Sequence, residues 1–225
     1  MTPDDNNGRS QKLKNGDLAF FGALTASVSH ELNNIISIID QSAGLLTDLL
    51  AGAQSGRPLS PEQLERIADR IKYQTGRGVD FIRRLNAFAH STDEPVREFE
   101  LNQLVENLAA LTVRFASLKG VNLKVTYSDQ PLNIITSPFL IQQVLYLIIK
   151  NILDRALKND DIALSIERHD RTHARLVVTS MARGEPEPQK AAEWKALVGI
   201  MKGEVFISTQ GEKIIFEILV PGVRT

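Results

Sequence analysis

The sequence predicts an α+β chain. An antiparallel helical hairpin, pairing with a second copy as a dimeric four-helix bundle, is followed by an α/β sandwich. Three observations predict it. Two apolar heptad runs fill the first part of the chain, a Gly/Ser/Pro stretch separates them, and after "STDEP" the apolar period switches between that of strands and that of helices.

The first heptad runs Leu18, Phe21, Thr25, Val28, Leu32, Ile35, Ile39, Ser42, Leu46, Leu49. Steps alternating between three and four mark the seam of a helix packed on helices. The run ends in "AGAQSGRPLS", a turn. Ser60 then stands as N-cap, with Pro61 at the first helical position and Gln63 completing a capping box. A second heptad follows: Leu64, Ile67, Ile71, Gln74, Gly78, Phe81, Leu85, Phe88. One hairpin cannot cover both apolar stripes, whereas two copies can, so a homodimer is expected. Residues 1–16, polar and without period, read as a disordered tail, and residues 17–92 as the hairpin.

Residues 97–225 form the second unit. Residues 98–101 are a short strand, 102–118 a helix, and "VNLKVTY" and "LNIIT" two strands. "PFLIQQVLYLIIKNILDRAL" is apolar over most of a helix surface and is expected between layers. "DIALSIERHDRTHARLVVTSM" reads as a hairpin turning near Asp170, followed by a helix around Trp194–Met201. A last hairpin turns at Gln210-Gly211.

Composition narrows the function. A net charge of −1 over 225 residues lacks the basic excess of a nucleic-acid binder. No apolar run approaches the roughly 20 residues that a membrane span needs, so no membrane segment is expected. With no Cys, disulfides and thiolate metal sites are excluded, which fits a cytoplasmic setting. His30, His90, His169 and His173 are scattered without metal-ligand spacing, so no metal site is expected.

The informative stretch is "SVSHELNNII", residues 27–36. Val28 and Leu32 are seam positions, so the helical period turns His30 outward. Asn34 lies one turn on along the same face, and Glu31 lies at the flank. An imidazole offered to water can act as a nucleophile through its unprotonated nitrogen. A neighbouring carboxylate can hold the ring N–H or take its proton, and a carboxamide can position a phosphoryl oxygen or a water.

"SVSHELNNIISII" resembles the H box of sensor histidine kinases, in the first helix of a two-helix hairpin as in that family. The segment from "FELNQ" to "NILDRAL" resembles their catalytic domain: opening strand, helix, two strands and N box. The resemblance covers roughly residues 18–221 and implies that His30 is a phosphoacceptor. One departure is Ile35, where many of these kinases have Pro; without Pro the helix keeps its backbone bond there and is expected to run straight.

The nucleotide motifs depart further. Of the two N-box Asn positions, Leu147 occupies the first and only Asn151 remains at the second. At the D-x-G-x-G position stands Ser180-Met-Ala-Arg-Gly184, with Ser180 for the Asp, Ala182 for the first Gly, and Gly184 alone retained. "EPEPQKAA" replaces the lid and the Gly-rich turn. The chain is therefore expected to bind no cofactor, and Asn151 to serve the helix instead.

The pattern resembles histidine phosphotransferases with a kinase-like dimeric body and a decayed catalytic domain. It implies that His30 exchanges phosphoryl groups with receiver-domain aspartates of response regulators, with a hybrid histidine kinase as a further candidate partner. Mg²⁺ would sit on the receiver. The E-x-x-N formed by Glu31 and Asn34 leaves phosphatase activity, or sequestration of a regulator or kinase, as an alternative, beside a scaffold and an active sensor kinase. A receiver would dock beside His30 at the level of Gln74, Thr75, Gly76, Arg77 and Gly78, with Arg77 or Arg83 available to a phosphate.

Overall fold

The computed structural model describes residues 3–181 and 183–224, with side chains described from Gly16 onward. Helix α1 spans Pro3–Gln54 and helix α2 spans Pro61–Ala89, joined by the expected turn. The helix begins well before Leu18, so the segment read as a disordered tail joins it from Pro3. Ser60 caps α2, its Oγ accepting from the Gln63 N–H (3.3 Å). The Ser60 hydroxyl in turn donates to the Glu62 side chain, at Oε2, 2.5 Å away.

Ile67, Gln74 and Phe88 of α2 are buried as their heptad requires, and so are Val28, Ile35 and Ser42 of α1. The first two turns of the α1 seam differ from expectation. Leu18 and Phe21 are exposed (73% and 37%), whereas Phe20 and Leu24 are sealed (1% and 0%). The reason is a change of partner. At this end α1 faces the second domain: Phe20 packs on Phe88, Phe139 and Tyr146, with ring centroids 5.3, 5.5 and 4.9 Å away. Leu18, Phe21, Ile36 and Leu50 of α1, with Val79 and Ile82 of α2, are exposed apolar residues of the single chain.

Beyond a 3-10 turn (His90–Thr92) come β1 (Arg97–Glu100), α3 (Leu101–Lys119), β2 (Asn122–Thr126), β3 (Asn133–Thr136) and α4 (Pro138–Leu153). Then follow β4 (Asp161–Arg168), β5 (His173–Met181), α5 (Pro188–Ile200), β6 (Glu204–Gln210) and β7 (Lys213–Pro221). β1 and β3 form an antiparallel pair. The main sheet has the order β2-β4-β5-β7-β6, parallel only between β2 and β4. Every second residue of β4, β5 and β7 is buried, and α4 lies between layers with most of its surface covered. Asp170 closes the β4–β5 turn by accepting from the Thr172 and His173 N–H groups.

One apolar core runs through both parts, from Phe20, Leu24 and Val28 through α3 and α4 to the sheet and Trp194. Polar links reinforce the contact. Arg84 of α2 donates to Asp80 on its own helix and to Asn107 and Glu106 of α3. Gln143 of α4 donates to Asp17 of α1 at 2.7 Å.

A window within Gly16–Gln54 is long and apolar enough by length and composition to cross a membrane (mean hydropathy 1.3, 11% buried). This differs from the reading by uninterrupted runs, because the inner seam and the outer apolar stripe of α1 both raise the average while polar residues break it at almost every turn. Such a helix near the N-terminus is weak evidence for a span.

Candidate functional site

His30 and Asn34 are both exposed, one turn apart on α1, as the heptad requires. Their surroundings on the inner side are dense: Val28 and Ile35 are buried, and Leu32 packs against the core. The helix is continuous through Ile35, in line with the absence of Pro.

Glu31 departs from its expected role. Its side chain is only 14% exposed, and each carboxylate oxygen accepts from a different arginine. Arg77 Nη2 of α2 donates to Oε1 at 2.5 Å, and Arg114 Nη1 of α3 donates to Oε2 at 3.0 Å. Arg77 is itself held, donating to the buried Gln74 Oε1 at 3.2 Å and lying over the Tyr73 ring at 6.0 Å. Both carboxylate oxygens are thus engaged by guanidinium donors within the chain. The helical step of about 100° per residue turns Glu31 inward while His30 faces water. Where the sequence suggests a partner for the imidazole, the structure places Glu31 as a bridge between three helices.

Arg77 therefore serves an internal ion pair, while Arg83 stays exposed (74%) beside Asp80 at 3.6 Å. The small residues opposite leave room. A Cβ built on Gly76 meets nothing within 4 Å, and one on Gly78 meets Ile35 Cγ2 at an ordinary 3.6 Å. Gly76→Ala should therefore raise stability by about 0.8–1 kcal/mol, the intrinsic helix preference for Ala over Gly. Urea titration of the two proteins reads this directly, and a loss of stability would show that a neighbour needs the gap.

The groove where the resemblance places a nucleotide is lined by Asn151, Arg155, Ser180, Met181, Arg183, Gly184 and Ile214, among others. Arg155 closes it. Its Nη2 donates to Asn151 Oδ1 (2.5 Å), and its Nη1 donates to the carbonyls of Gly184 (2.9 Å) and Glu185 (2.8 Å). Arg183 pairs with Asp160 at 2.9 Å and holds that carboxyl below the usual carboxylate range. Leu147 packs against the apolar core, and Ser180 is buried. The remaining space is about 20 Å³, room for about one water. The buried Asn151 Nδ2, which has no partner, is the group such a water would satisfy. These residues do not fit a nucleotide or its metal ion.

Arg155→Ala would leave Asn151 Oδ1 and the loop carbonyls without their donor and is expected to cost about 1–3 kcal/mol. Thermal denaturation reads the loss, and added ATP is expected not to recover it. Recovery by ATP would mean that the arginine masks a working site.

No family model and no curated protein matches the chain. Solved structures do. The nucleotide-free catalytic domain of the histidine kinase ThkA superposes with a TM-score of 0.52 at 16% identity, over 57% of this chain and 98% of that one. The Acinetobacter baumannii histidine kinase AdeS gives 0.50 at 16% identity, over 86% of this chain and 98% of that one. Full-length ShkA in complex with AMPPNP gives 0.51 at 15% identity, over 91% of this chain and 46% of that one.

The fold is that of the histidine kinases. At these identities the likeness is one of fold. The histidine-kinase fold here carries an exposed His30 on its first helix and a filled groove in its second domain. Reading the sequence missed two of the residues that shape these sites. Arg155 had a signal, being four residues after Asn151 on a helical period. Arg114 had none, since its partner is 83 residues away in sequence.

Proposed function

We propose that this chain is a histidine phosphotransfer protein of a two-component phosphorelay, passing a phosphoryl group between receiver-domain aspartates through His30. The observation that carries the reading is an exposed His30, with Asn34 one turn on, in a histidine-kinase fold whose nucleotide groove is closed by the chain's own Arg155. An imidazole so placed needs a phosphoryl donor from outside, and an aspartyl phosphate is a high-energy one.

In the forward step the unprotonated ring nitrogen of His30 attacks phosphorus in line. The N–P bond forms as the acyl O–P bond breaks, and the aspartate carboxylate leaves with the electron pair. The reverse step hands the group to a second aspartate. The receiver would supply Mg²⁺, whose charge would offset that of the phosphoryl oxygens. Asn34, whose side chain makes no hydrogen bond among the described residues, donates to a phosphoryl oxygen. The exposed apolar residues Phe21, Ile36, Val79 and Ile82 support a homodimer, in which a second hairpin covers them. We place the protein in the cytoplasm, where receiver domains act.

The free carboxamide of Asn34 also favours a second reading, phosphatase activity, in which it orients water toward the receiver's phosphoryl group. The test is to mix the protein with receiver domains pre-labelled on aspartate. Acid-labile label on this chain that moves on to a second receiver supports phosphotransfer. Rapid release of inorganic phosphate without labelled chain supports the phosphatase, and neither result would reject both.

A further inference from the structure

The second domain of this chain has lost a nucleotide site, yet it sends one cation to the turn that carries His30. Arg114, on α3, is 25% exposed and donates to Glu31, the neighbour of His30 in the chain. From the opposite side Arg77 of α2 donates to the other oxygen of the same carboxylate. Arg114–Glu31 is one of only two side-chain polar links from α1 to the second domain among the described residues, and the other, Asp17–Gln143, lies about four turns away.

A guanidinium presents fixed, planar donors, so two of them on one carboxylate define its position closely. Holding Glu31 from two sides fixes the rotation of α1 about its own axis at this turn. Because His30 is the adjacent residue, its Cα–Cβ direction is fixed with it. The apolar seam of Val28, Leu32 and Ile35 turns His30 outward, and the two directed, charged hydrogen bonds narrow the rotation left to the helix at this turn.

We propose that Arg114 and Arg77 are positioning residues for the phosphoacceptor, and that the second domain acts through Arg114 as a fixed brace presenting His30 at one angle to an incoming receiver. Resting on the phosphotransfer reading, this assigns Glu31 the role of connector and not of base. In-line attack has strict angular demands, and a misplaced reacting group can cost about 10²-fold in rate.

The test measures single-turnover transfer from a phosphorylated receiver to the full chain. Arg114→Ala is expected to lower the rate at saturating receiver by about tenfold, leaving the half-saturating receiver concentration within about twofold. Arg114→Lys, which keeps a single charged donor, should recover part of the rate. Combined with Glu31→Gln, Arg114→Ala should slow transfer little beyond Glu31→Gln alone, since Glu31→Gln already weakens the link that Arg114→Ala cuts. An unchanged rate in Arg114→Ala would overturn the proposal. So would a Glu31→Gln defect that persists where Arg114→Ala has none, which would make Glu31 a base.

Hydrogen exchange tests the brace without any activity. Peptides covering Val28–Ile35 should exchange about tenfold faster in Arg114→Ala than in the parent chain. Unchanged protection would overturn the brace. If the parent chain accepts no label from any receiver, the phosphotransfer reading fails by itself, and the exchange result still decides whether Arg114 holds this turn.

Discussion

Phe20→Ala is expected to destabilise the protein by about 3–5 kcal/mol. Phe20 is 1% exposed and touches three rings from two other parts of the chain, so its removal leaves a cavity walled by elements that cannot all close on it. Set against a total of about 5–15 kcal/mol for an ordinary domain, this is a large fraction. It should also loosen the contact between α1 and α4, because Phe20 is where the hairpin enters the core of the second domain. Leu18→Ala, at a position 73% exposed in the single chain, should cost much less. Urea titration of the two variants gives the order. A larger cost for Leu18 would mean that the hairpin seam continues to its first turn and that the domains are joined elsewhere.

The second large effect concerns chemistry and not stability. His30→Gln should abolish phosphoryl acceptance, since Gln offers no nucleophilic nitrogen, while the midpoint of unfolding and the oligomeric state stay as in the parent. An exposed side chain with no hydrogen bond among the described residues can be exchanged with a change within about 0.5 kcal/mol. Acid-labile label and size-exclusion chromatography on the same preparation check both halves. Residual label would assign the acceptor to another residue. A shift in assembly would contradict the outward placement of His30.

Local chemistry made much of this legible in advance. Ser60 before Pro61, Gln210-Gly211 between two alternating runs, and the turn at Asp170 each carry their structure in residues that touch one another along the chain. The outward direction of His30 follows from Val28 and Leu32 by geometry alone. What was not legible depends on contacts between distant elements. Phe20 and Leu24 stand off the heptad, and the approach of α4 beside Phe88 of α2 makes theirs the buried face. Glu31 reads as a partner of its neighbour His30 until α2 and α3 bring two guanidiniums to it. The departures from the nucleotide motifs could be read from the missing Asp and Gly, but not that Arg155 fills the groove, because loop 183–187 must fold back for its carbonyls to accept.

The central claim is that the phosphoryl group on His30 comes from a receiver aspartate and not from ATP. The most direct measurement offers the purified chain γ-labelled ATP in one reaction and a labelled phospho-receiver in another, with His30→Gln beside it in both. The account predicts acid-labile label from the receiver alone, absent in His30→Gln. Label from ATP without any other protein would contradict it, and would mean that Arg155 leaves the groove to admit a nucleotide.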